Sequence, residues 1–74
     1  MVKIFRVKHL TPEEVLDQVQ RSGVINYMYS WRYTIDGKRN TISFNLRYTG
    51  GYDQEKEKEM MKEVEAFIKS IDME

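Results

Sequence analysis

The sequence predicts an α+β domain. It reads as a two-layer β-α-β-β-α chain, with a three-stranded antiparallel sheet of order 2-3-1 and both helices on one face. Three observations predict it. Residues 24–48 alternate apolar and polar side chains on both sides of Asp36-Gly37. Thr11-Pro12-Glu13-Glu14 marks a helix start. Apolar residues recur at helical spacing between Met60 and Ile71. Strand side chains alternate faces, whereas helical faces repeat every three to four residues.

Residues 2–10 read as the first strand. Phe5 and Val7 are placed inward, so that Arg6 and Lys8 point out with Val2 and Ile4. Thr11 then suits an N-cap, Pro12 the first helical position, and Glu14 the closing member of a capping box. Leu10 and Val15 occupy the positions of a hydrophobic staple. The helix is predicted over residues 12–22, burying Val15, Leu16 and Val19, with Gly23 as its left-handed terminator.

Residues 24–48 read as one long hairpin. Ile25, Tyr27, Tyr29, Trp31, Tyr33 and Ile35 share one face of the first arm. Ile42, Phe44, Leu46 and Tyr48 share the same face of the second. A two-residue Asp36-Gly37 turn pairs Ile35 with Lys38, Trp31 with Ile42 and Tyr29 with Phe44. A four-residue loop over 36–39 shifts that pairing but keeps its parity. Gly50-Gly51 reads as a joint and Asp53 as the N-cap of a second helix ending near Ile71. Met60, Val64, Phe67, Ile68 and Ile71 form its buried stripe. Residues 54–59 contain no apolar side chain and are expected to project beyond the sheet or to dock on a partner. Residues 72–74 are expected to fray. A right-handed crossover places the first strand beside the hairpin's second arm. Twelve residues of the second strand are then left as an open edge.

The 74 residues are read as one domain, 1–74. A chain this short buries only about 60% of its unfolded surface, which favours self-association. There is no cysteine, so disulfides and thiolate metal sites are excluded. With one histidine and no calcium-loop spacing of carboxylates, no metal and no cofactor is expected. No apolar run is long enough to span a membrane, and the start lacks the apolar core of a signal peptide. The expected compartment is the cytoplasm.

Net charge is zero, but it is unevenly spread. Residues 1–10 and 24–49 hold seven basic residues and one acid, Asp36. Residues 50–74 hold eight acids against four lysines. The sheet is therefore expected to be basic and the helical layer acidic. Arg6, Lys8, Arg32 and Arg47 are the candidate binding residues on the outer sheet face, with Lys38 and Arg39 at the hairpin tip. Mixed with Ser30, Thr34, Ser43 and Asn45, they suit phosphate contacts. Exposing the aromatic row as a base-stacking platform would instead bury Arg32 and Arg47 at a desolvation cost of several kcal/mol per ion. His9 has no nucleophile or orienting acid at a recognisable spacing, so no catalytic residue is assigned. The expected function is a non-enzymatic binding module, acting on nucleic acid as a homodimer joined at the second-strand edge or through the outer face. An acidic protein surface is the other partner the basic face would suit, and the alternative function is a protein-interaction module, a small inhibitor or accessory subunit. It would use the second-strand edge, Met28 and the acidic start of the second helix.

Overall fold

The computed structural model describes residues 1–72. Its elements are β1 (Val2–Arg6), α1 (Pro12–Ser22), β2 (Tyr29–Asp36), β3 (Thr41–Tyr48) and α2 (Gln54–Asp72). The sheet order is β1-β3-β2 with both pairings antiparallel, and the two helices pack on one face, as the pattern predicts. The core centres on β3. Ile42, Phe44 and Leu46 are fully enclosed, beneath Val15 and Val19 of α1 and Met60, Met61, Val64 and Ile68 of α2. Enclosing one such side chain contributes about 1.5–3 kcal/mol.

Both halves of the α1 capping box form. Thr11 Oγ1 accepts from the Glu14 N–H at 3.1 Å, and Glu14 Oε1 accepts from the Thr11 N–H at 2.8 Å. Gly23 closes the helix at φ 69°, a left-handed conformation that glycine enters without steric cost. At α2, Asp53 Oδ1 accepts from the Lys56 N–H at 3.2 Å, so Asp53 caps as expected.

The hairpin keeps its parity and changes its register. Ile35 pairs with Ile42, Tyr33 with Phe44, Trp31 with Leu46 and Tyr29 with Tyr48. Asp36-Gly37 is therefore not a two-residue turn. Asp36 instead accepts from the Lys38 and Arg39 N–H groups at 3.1 and 3.3 Å, and the loop closes at Asn40, whose φ is 55°. The loop is residues 37–40, one residue on from 36–39.

The first arm is also shorter than residues 24–48 suggest, because β2 begins at Tyr29. Asn26 starts a turn in which its Oδ1 accepts from the Met28 N–H at 2.8 Å and its carbonyl from the Tyr29 N–H at 3.1 Å. Tyr27 lies in this turn, 92% exposed, and not in the aromatic row. The open edge of β2 is accordingly eight residues long, not twelve.

Two further expectations are corrected at the ends of α2. The Glu57 side chain is buried: its carboxylate accepts from the Tyr48 N–H at 3.3 Å and pairs with the Met1 amine at 3.2 Å. The start of α2 is thus tied to the end of β3 and does not project. Asp72 does not fray. It is 2% exposed, and its carboxylate accepts from the backbone N–H groups of Lys8, His9 and Leu10 at 2.7, 2.8 and 2.8 Å. Those three donors leave the sheet to reach it, so β1 stops at Arg6 and does not run to residue 10. Residues 73 and 74 lie outside the described residues.

Candidate functional site

Cross-strand partners share a face of the sheet, so the register fixes the outer surface row by row. Arg47 sits beside Ser30. Val2, Asn45 and Arg32 form the next row, Ile4, Ser43 and Thr34 the third, and Arg6, Thr41 and Asp36 the fourth. Among the described residues, no helix covers this side. Arg6, Arg32 and Arg47 are exposed, and among the described residues none has a carboxylate within ion-pair distance.

The six sequence-predicted residues fall into two groups. Arg32 and Arg47 are diagonal cross-strand neighbours, roughly 7–8 Å apart by strand geometry. They line a shallow depression of about 310 Å³ with Ser30 and Asn45, and a second depression of about 240 Å³ continues from Arg32 along Thr34 and Ser43. Arg6, Lys38 and Arg39 gather at the hairpin-tip end, roughly 13 Å further along the strands at 3.3–3.4 Å per residue. Arg39 lies 3.9 Å from the Asp36 carboxylate. Lys8 is exposed near the tip but is not on the sheet face, because the chain has turned toward Asp72. The Val7 N–H donates to the Asn40 carbonyl at 2.9 Å and Asn40 Nδ2 donates to the Val7 carbonyl at 2.7 Å, which holds this segment against the tip.

Lys3, part of the basic surplus, faces the opposite side. Its ammonium meets Glu65 of α2 at 2.8 Å and lies 5.8 Å from the Phe5 ring centroid. That pairing holds the Glu65 carboxyl below the usual range against the opposing effect of burial.

The aromatic row packs on the helical side, unevenly. Trp31 is half-buried, with its ring centroid 5.7 Å from that of Phe44. Tyr29 is half-buried and donates its hydroxyl to the Lys56 carbonyl at 3.0 Å. Tyr33 remains 49% exposed, because β2 is an edge strand that the helices reach only in part. His9 is exposed and gives its backbone N–H to Asp72. Among the described residues, no group of three or more metal-ligating side chains converges, and no helix is long and apolar enough to cross a membrane.

Glu57 and Asp72 were missed by sequence reasoning, though a signal existed. Glu57, Met61, Val64, Ile68 and Asp72 follow one another at steps of four, three, four and four, so both acids lie on the buried stripe. Comparison with family models, curated proteins and solved structures yields no significant match. The functional reading therefore rests on the geometry of this chain.

Proposed function

We propose that this protein is a non-enzymatic binding module. In this reading it contacts the phosphate backbone of nucleic acid through the outer face of its sheet, and it works as a homodimer. One observation carries the proposal: Arg32 and Arg47 stand exposed beside Ser30 and Asn45 on the outer sheet face, and among the described residues neither has an ion-pair partner and no helix covers that face. Guanidinium groups match phosphate oxygens in pairs, and hydroxyl and amide groups supply further donors that carry no sequence information. Arg6, Lys38 and Arg39 extend the positive surface toward the hairpin tip. The acidic helical layer points the other way, so the charge separation orients the molecule toward a polyanion.

Fluorescence anisotropy with labelled single-stranded DNA, duplex DNA and RNA, titrated at several salt concentrations, tests this. The expected result is micromolar binding whose logarithm falls linearly with the logarithm of salt concentration. Binding that ignores salt rejects phosphate contact. Equal competition by polyglutamate points to an acidic protein surface and overturns the nucleic-acid reading.

A further inference from the structure

The open edge of β2 is self-complementary, and we infer that it is the surface on which a second copy of this chain docks, with Tyr33 on the two-fold axis. The Thr49 N–H donates to the Met28 carbonyl at 3.0 Å, and Met1 exchanges bonds with Leu46 at 2.7 and 2.8 Å. Bonded pairs alternate along an antiparallel ladder. Even-numbered residues of β2 therefore bond to β3, and Trp31, Tyr33 and Ile35 turn their N–H and C=O groups to the open side, as Tyr29 does its C=O, its N–H being held by the Asn26 carbonyl. These are also the residues of the half-covered aromatic row.

Two copies can pair antiparallel only in registers that keep apolar side chains opposite apolar ones. Two such registers use nearly the whole strand. One sets Arg32 directly against its symmetry mate, which like charge disfavours. The other sets Tyr33 against Tyr33, Trp31 against Ile35, Arg32 against Thr34 and Ser30 against Asp36. In it no like charges are directly opposed, and the 49%-exposed Tyr33 gains a covering ring. The product is a continuous six-stranded sheet. On its outer face Arg47, Arg32 and their two symmetry mates form one diagonal stripe across the dimer. That stripe matters for function only if the phosphate-binding reading holds; the interface itself does not depend on it.

The chain has no cysteine, so single substitutions report the register. In the full chain, Tyr33→Cys places two thiols at a bonded cross-strand pair, where Cα atoms are about 5.5 Å apart, within disulfide range. Mild oxidation is expected to convert Tyr33→Cys to a covalent dimer at least about tenfold faster than Arg32→Cys or Ile4→Cys, whose partners stand at a diagonal or on the far edge. Tyr33→Asp, at a half-exposed site, is expected to sediment as a monomer with an unchanged circular dichroism spectrum. Wild-type protein that sediments as a monomer up to about 1 mM overturns the inference. So does faster cross-linking of Arg32→Cys or Ile4→Cys. A dimer with no salt-dependent nucleic-acid binding sinks the functional reading and leaves the interface standing.

Discussion

The Asp72 carboxylate accepts from the Leu10 backbone N–H at 2.8 Å, and this bond joins the last residue of α2 to the residue preceding the N-cap of α1. The Lys8 and His9 donors complete the arrangement. A single side chain thus satisfies three backbone groups where β1 ends. Bonds to a charged acceptor contribute about 1.5–3 kcal/mol each, less where water can replace the acceptor. Asp72→Ala is expected to destabilise the fold by about 2–3 kcal/mol in urea unfolding, with an unchanged m-value. Asp72→Asn, which keeps one acceptor oxygen, is expected to lose less.

Acid should unfold the protein through three carboxylates. At Asp72, burial pushes the carboxyl up, but the backbone donors of Leu10, Lys8 and His9 together outweigh it and leave it below its ordinary value. At Glu57, the hydrogen bond from the Met1 amine and then the Tyr48 N–H lower it against burial. Glu65 is lowered chiefly by Lys3. A carboxylate depressed in the folded state contributes stability that is complete above its unfolded value, and that stability disappears as pH falls through the folded value. The stability these three carboxylates contribute should therefore be complete above about pH 6 and be lost progressively below about pH 4. Asp72→Ala should show a shallower fall, measured as the urea midpoint against pH.

The hairpin loop supplies a paired prediction. Asn40 holds φ 55° and donates Nδ2 to the Val7 carbonyl at 2.7 Å. Gly37 has no positive φ, and a Cβ there meets nothing within 4 Å. Asn40→Ala should therefore cost about 1–2 kcal/mol through lost bonding and a left-handed backbone. Gly37→Ala should be neutral or stabilise by up to about 1 kcal/mol through the unfolded chain. Differential scanning calorimetry of the two variants reads both signs.

These residues also show why part of the fold was legible and part was not. Parity along β2 and β3 is a local property, so the side on which Arg32 and Arg47 stand could be read directly. Register depends on which residue turns the chain. Asp36-Gly37 carries the usual hairpin signal, whereas Asn40 carries the left-handed backbone. The end of β1 depends on an acceptor more than 60 positions away in the chain, which no local pattern contains. Glu57 was misread because residues 54–59 contain no apolar side chain, although its spacing placed it on the buried stripe.

Charge counting and geometry make different predictions for the basic residues, and binding experiments separate them. Lys3 belongs to the basic surplus but faces α2 and pairs with Glu65; Arg32 and Arg47 face solvent. Lys3→Ala should leave nucleic-acid affinity and its salt slope unchanged while slightly lowering stability. Arg32→Ala and Arg47→Ala should each weaken binding about uniformly across sequences and reduce the slope of log K against log salt by about one. Their unfolding midpoints should remain near wild type, because neither side chain packs in the core. If Lys3→Ala weakens binding as much as Arg32→Ala does, attraction comes from overall charge and the outer face is not the contact surface.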